Sequence, residues 1–396
     1  MSKADRRRFL RAALGGTVLL PAALRAQVLD PNDSTFVDPP PPPDTPRVDP
    51  SRSPPSEPRT PRRRKRKDEP EELPLLYPYV LPRGGTIAVC APAGGVTRGD
   101  ANDAEAALRG LGFRVKMGEH LLKGYGYLAG RDEERAGELM RFVNDSEVDA
   151  IMAVRGGYGV MRILPMLDFA AIRASRKIIV GYSDITALVN AIYRLSRMVA
   201  FHGPVATSAF ERYSLDSFRR VVMSASPAGT FGDSDEFNGS RFTERRASTI
   251  VSGRKQGRIV GGNLTLVTGL MGTPYEIDTR GAILFIEEVE EEPYKIDRML
   301  TQLAISGKLA ACNGVAIGRF SKCEAGGSTY RLIGSLEEII RRTLEPLGVP
   351  AVYGLPIGHI RSKITVPVGV LATLDADART LTFDEAAVVE RETRSE

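Results

Sequence analysis

From residue 84 onward, short apolar runs alternate with segments whose apolar positions recur every three or four residues. These are the periods of buried strands and of amphipathic helices. Strands are expected at Thr86 to Ala91, Phe113 to Met117, Val148 to Val154, Ile178 to Val180 and Met198 to His202. Between them, Ala107, Leu108 and Leu111 mark one helix face, Arg131 to Asn144 reads as a second helix, and Ile185, Leu188, Ile192 and Leu195 mark a third. This alternation predicts an α/β fold with a parallel, flavodoxin-like sheet covered by helices on both faces. Sites in such folds lie at the carboxyl ends of the strands.

The pattern then changes. A helical stretch at Leu215 to Met223 leads into a Gly-, Ser-, Asp- and Asn-rich segment from Gly229 to Ser240, which reads as a connection. Beyond it, strands are expected at Ser248 to Ser252, Gly257 to Val260, Ala282 to Ile286 and Gly314 to Ile317, with a hairpin at Val370 to Leu374 and Thr380 to Phe383. Helices are expected at Tyr294 to Ser306 and Leu336 to Leu347, and Asn263 is placed to cap another. The expected organisation is an N-terminal α/β nucleophile domain over 76–215, a linker over 216–247 and a smaller, mixed α/β, strand-rich C-terminal domain over 248–390.

The residues before this pattern read as an address and a tether. Arg6-Arg7-Arg8-Phe9-Leu10 followed by a weakly apolar stretch from Ala12 to Leu24 has the form of a twin-arginine signal peptide over 1–26, which implies export to the periplasm or cell envelope. The apolar stretch is shorter than the roughly 20 residues of a bilayer span, so no stable membrane span is expected. Residues 27–75 are proline-rich, with five consecutive prolines at Pro39 to Pro43, and predict a disordered tether. Its basic run, Arg62 to Lys67, is either a solvated spacer or a contact for an anionic cell-envelope polymer.

Charge and cysteine narrow the function. The formal net charge is +5, but +4 of it lies in residues 1–75, so the folding part is nearly neutral and is not expected to bind nucleic acid. Three cysteines, Cys90, Cys312 and Cys323, form no disulfide framework and have no zinc spacing; neither a metal nor a cofactor is expected. The oligomeric state is open, a homodimer included.

The densest chemical signal is Ile178-Ile179-Val180-Gly181-Tyr182-Ser183-Asp184-Ile185. An apolar strand ends at a glycine, and a helical period begins just past a serine. Ser183 therefore sits on a strand-to-helix turn, either as a helix cap or as a nucleophile on an elbow. Arg155-Gly156-Gly157-Tyr158-Gly159 follows another strand without the spacing of a phosphate loop, and suits an oxyanion hole. Of three histidines, His120 reads as surface, His202 as structural near the site, and His359, in Gly354-Leu355-Pro356-Ile357-Gly358-His359, as the best candidate base. Glu287, the first acid after an apolar strand, is the candidate partner for that base; the other acids of the run read as solvated or paired. The order Ser183, Glu287, His359 is that of α/β-hydrolases, but Asp184-Ile185 departs from their G-x-S-x-G and disfavours that fold.

Several motifs occur in one order: Tyr127-Leu128-Ala129-Gly130, Arg155 to Gly159, Gly181 to Thr186, Gly261-Gly262-Asn263-Leu264, Leu284 to Glu288, Pro293-Tyr294 and Gly354 to His359. Over about Leu81 to Ala387 the chain resembles the LD-carboxypeptidase family, which includes the microcin-immunity peptidases. The resemblance implies a serine peptidase that releases terminal D-alanine from murein tetrapeptides by cutting an L-D peptide bond. It implies Ser183 as nucleophile, His359 as base and Glu287 as its orienting carboxylate, with N-H groups of Asp184 and of Gly156 or Gly157 as the oxyanion hole. The family usually has Glu-Asp where this chain has Glu287-Glu288. A related amidase or peptidase of microcin-immunity type, or an inactive envelope-binding module, are the alternatives.

Overall fold

The computed structural model describes residues 73–232, 247–323 and 335–391, all within one compact unit, Pro70–Glu396. The expected signal peptide, nearly all of the expected tether and residues 233–246 of the expected linker lie outside the described residues. The first sheet is built from β1 (Thr86–Cys90), β2 (Arg114–Met117), β3 (Ala150–Ala153), β4 (Ile178–Gly181) and β5 (Ala200–His202). These run parallel in the order β5-β4-β3-β1-β2. Helices α1 (Arg98–Gly110), α2 (Asp132–Asn144), α3 (Val160–Ile163), α4 (Phe169–Ser175) and α5 (Thr186–Ala191) supply the crossovers, and α6 (Arg212–Val222) follows β5. The turns that close parallel pairs through helices put the ends of β3 and β4, with their glycine-rich exits, side by side.

The second sheet has eight strands: β6 (Gly229–Gly232), β7 (Ser248–Val251), β8 (Arg254–Asn263), β9 (Ile283–Val289), β10 (Gly314–Ser321), β11 (Ala351–Tyr353), β13 (Leu371–Asp375) and β14 (Thr380–Phe383). Its centre, β8-β9-β10-β11, is parallel, and its two margins are antiparallel. The intervening strand β12 (Val366–Val368) leaves this half of the chain and pairs antiparallel with β5. The first sheet thus carries one antiparallel edge strand that periodicity did not reveal, because a three-residue run holding Pro367 has no readable alternation.

Strand β9 decides where the acids go. Ile283 and Phe285 point into the core shared with the first sheet, while Leu284 and Ile286 point into a second core. That second core is closed by α7 (Leu264–Gly269), α8 (Pro293–Ile305) and α9 (Leu336–Leu344). The strand does not stop at Ile286 as the sequence led us to expect. It continues through Glu287, opposite Asn263 on β8, and Glu288, opposite Phe320 on β10. Both glutamates are therefore buried, at 0% and 2% exposure, and Glu288 is not a solvated acid.

Two further expectations change. Helix α5 widens into a π turn over Ile192–Ser196, which rotates Leu195 off the apolar face and leaves it exposed. His120 is not a free surface residue: its Nδ1 lies 3.1 Å from Oε1 of buried Glu138, a partner on α2 that sequence spacing does not expose. All three cysteines are buried. Among the described residues no helix is long and apolar enough to cross a membrane, and no group of three His, Cys, Asp or Glu side chains is placed to hold a metal ion.

Candidate active site

Strand β4 ends at Gly181, whose missing side chain leaves room for Ile185, 2.9 Å from where a Cβ would sit. Tyr182 is extended, and Ser183 follows at φ +66°. A left-handed serine costs about 1–3 kcal/mol and is retained where the surroundings impose it. Here the glycine loop after β3 does so. A methyl group on Gly156 would lie 2.6 Å from the Ser183 Cβ and 2.8 Å from its Oγ, so only glycine lets the loop lie against the hydroxyl. Gly157, at φ +130°, packs on Gly94 instead. The amides of Gly156 and Gly157 donate to no acceptor among the described residues.

Asp184 is 2% exposed, and its carboxylate accepts the Val160 N-H at 2.8 Å, tying the glycine loop to the elbow. Burial pushes its pKa up to about 6. Its side chain is thus a brace for the loop, set within the turn Ser183–Ile185.

Glu287 and His359 meet from β9 and from the loop after β11. His359 Nδ1 lies 2.7 Å from Glu287 Oε2. Gly358, at φ +118°, permits this approach, since a Cβ there would stand 2.9 Å from the same oxygen. The other carboxylate oxygen faces His202 Nε2 at 3.8 Å, beyond hydrogen-bond reach but close enough for charge to act. Burial opposes the Glu287 charge; the two imidazoles outweigh it and hold the carboxyl down at about 2. Glu288, one residue on, accepts from Asn263 Nδ2 at 2.7 Å, Thr265 N at 2.9 Å and Thr265 Oγ1 at 2.8 Å, and so serves the start of α7.

Tyr182 joins the halves. Its ring meets His359 edge-on at a centroid distance of 4.8 Å, which seats the imidazole beside the residue preceding Ser183. Among the described residues Ser183 and His359 make no hydrogen bond, and the hydrogen bond the His359 ring does make, through Nδ1, is to Glu287. Of the residues singled out from the sequence, Gly156 lies against Ser183, Asp184 braces the glycine loop, Glu287 pairs with His359, and the His359 ring meets Tyr182, the residue before Ser183.

The family model for the LD-carboxypeptidase N-terminal domain matches residues 87–203, and the one for the LD-carboxypeptidase C-terminal domain matches residues 256–374. A probable murein peptide carboxypeptidase of Bacillus subtilis strain 168 is 39% identical over 315 residues, 79% of this chain and 95% of the relative. The chain belongs to the LD-carboxypeptidase family. The fold is also that of solved members. A muramoyltetrapeptide carboxypeptidase from Oxalobacter formigenes aligns with a TM-score of 0.66 at 31% identity, covering 76% of this chain and 99% of that one. The microcin C7 self immunity protein MccF aligns with a TM-score of 0.70 at 25% identity, covering 79% and 100%.

Some site residues had no sequence signal that we read. Ser214 and Ser217, one turn apart on α6, accept the N-H groups of Lys363 and Thr365, each at 2.9 Å, and so fix the loop that follows His359. Their spacing of three on an amphipathic helix was visible, but a serine pair on a buried face gives no hint of its partner. Lys363 itself is 7% exposed, with Nζ 4.0 Å from the centre of the Tyr182 ring.

Proposed function

We propose that this protein is a serine-type LD-carboxypeptidase that releases the terminal D-alanine of murein tetrapeptides. The observation that carries the reading is the 2.7 Å contact of Glu287 with His359 Nδ1, with the His359 ring against Tyr182, the residue before the left-handed Ser183. An ionised Glu287 keeps the proton on Nδ1 and leaves Nε2 free to take the Ser183 proton. Ser183 Oγ attacks the carbonyl of the L-D bond, and the developing oxyanion is received by N-H groups of Asp184 and of the Gly156-Gly157 loop. Collapse expels D-alanine with the proton from His359, leaving an acyl ester on Ser183. Water, deprotonated by His359, then attacks the ester and restores the serine.

The murein substrate is supported by the relatives' names and by the coverage of the whole match. The likeness to MccF keeps a microcin-immunity activity as the second reading. Incubating the protein with murein tetrapeptide and weighing the products tests the first directly: the mass of one alanine should be lost. An unchanged tetrapeptide would overturn the reading in favour of the second. We further propose that Arg6 and Arg7 direct export, and that the basic run Arg62 to Lys67 holds the enzyme near an anionic envelope polymer; both rest on sequence pattern alone. Replacing both signal arginines with lysine should leave the protein in the cytosol, and normal export of that variant would contradict the route.

A further inference from the structure

Two lysines among the described residues are buried, and they differ in one respect. Lys177 donates to the carbonyls of Phe142 and Asp145. Lys363, at 7% exposure, has no hydrogen bond or ion pair among the described residues; its ammonium rests only on the face of Tyr182, 4.0 Å from the ring centre. The residue is largely buried, yet its Nζ is not among the side-chain atoms sealed from solvent, so the ammonium opens outward with no protein acceptor, which is the arrangement an arriving anion fits. Its backbone is not free to move away, because its N-H is held by Ser214 Oγ.

The position fits one anion. Tyr182, on which Lys363 lies, meets the His359 ring at 4.8 Å. In the proposed reaction His359 delivers a proton to the leaving nitrogen. When the leaving residue is the last of its chain, its carboxylate carbon lies roughly 2.5 Å from that nitrogen, set by two covalent bonds. The carboxylate must therefore settle beside the His359–Tyr182 pair. We propose that Lys363 receives the free terminal carboxylate of the substrate and so makes the enzyme a carboxypeptidase rather than an endopeptidase. This rests on the carboxypeptidase reading and adds the residue that enforces it. The charge state agrees: burial lowers the Lys363 pKa to about 8, opposed by the Glu287 charge, so the ammonium form prevails at neutral pH. Arg155, exposed at the start of the glycine loop, is the other cation whose charge reaches Tyr182.

The test compares two tetrapeptides, one ending in D-alanine and one in D-alaninamide. Wild type should cleave the acid with kcat/KM about a hundredfold above the amide. Lys363→Met should lose about a hundredfold on the acid, mostly through KM, and no more than severalfold on the amide, so that discrimination collapses. Lys363→Arg should recover at least tenfold on the acid. Equal losses on both substrates, an unchanged ratio, or a ratio that collapses in Arg155→Met but not in Lys363→Met would each overturn the assignment. Wild type cleaving both substrates equally would overturn it while leaving the carboxypeptidase chemistry standing; wild type cleaving neither would remove both. Should Lys363→Met fail to fold, inhibition of wild type decides: D-alanine should compete with the substrate and D-alaninamide should not, and equal inhibition by the two would refute the clamp.

Discussion

Glu287 and Glu288 are neighbours in the chain and face opposite sides of one strand. Glu287 hydrogen-bonds His359 and faces His202 at 3.8 Å; Glu288 hydrogen-bonds Asn263 and Thr265. Glu287→Gln should lower kcat about ten-thousandfold, since an amide can hold the wrong imidazole tautomer. Glu288→Gln should leave kcat within about tenfold but cost roughly 1–3 kcal/mol of stability, because an NH2 group then meets a buried donor. Steady-state kinetics and urea unfolding on both variants check the division. A larger kinetic effect at Glu288 would reverse the assignment.

The approach of Gly156 to Ser183 is steric, since Gly156 is outside the positive-φ region and its own backbone tolerates a side chain. Gly156→Ala should therefore displace the serine rather than unfold the protein. We expect kcat to fall about a hundredfold or more with the melting temperature nearly unchanged. Undiminished activity would show that the loop does not set the position of the hydroxyl.

Asp184 links the site to stability. Its folded pKa, raised to about 6, exceeds the value near 4 of an unfolded aspartate, so between these values the folded state binds more protons. Stability from this group is present below pH 4 and is lost as pH rises to 6. Relative to Asp184→Asn, which lacks this titration, wild type should lose on the order of 2–3 kcal/mol between pH 4 and pH 7. Urea unfolding of both proteins across that range measures it, and parallel curves would contradict the burial argument.

Lys363 should impose a second pH dependence. The groups that act on it are Tyr182 beneath it and the Glu287 charge, with His359 in edge contact with the same Tyr182 ring. With its pKa lowered to about 8, the ammonium is lost as pH rises through that value. KM for the acid substrate should climb above pH 8 in wild type and stay level in Lys363→Arg over the same range. A flat wild-type profile would contradict a carboxylate clamp at this lysine.

Much of this site was legible from the chain alone, for identifiable reasons. The elbow at Ser183 announces itself because a β-branched run, a glycine and a helical period meet within a few residues. Glu287 was picked out as the first acid after a strand expected to end at Ile286; that the strand runs on through Ile283–Val289 and turns Glu287 and Glu288 to opposite faces was not read, because charged residues mask the two-residue period. What stayed hidden depends on tertiary contact. Nothing local tells that Ser214 and Ser217 will hold the loop after His359, that Glu138 will receive His120, or that Lys363 will be buried on Tyr182. Strand β12 was hidden for the same reason, since its pairing partner, β5, precedes it by more than 160 residues.

The most direct measurement is the rate of D-alanine release from murein tetrapeptide by folded Ser183→Ala against wild type. With Ser183 as the nucleophile and the triad acting as a unit, the variant should be slower by about a millionfold, and adding His359→Ala should cost almost nothing more. Release by folded Ser183→Ala at the wild-type rate would contradict the account.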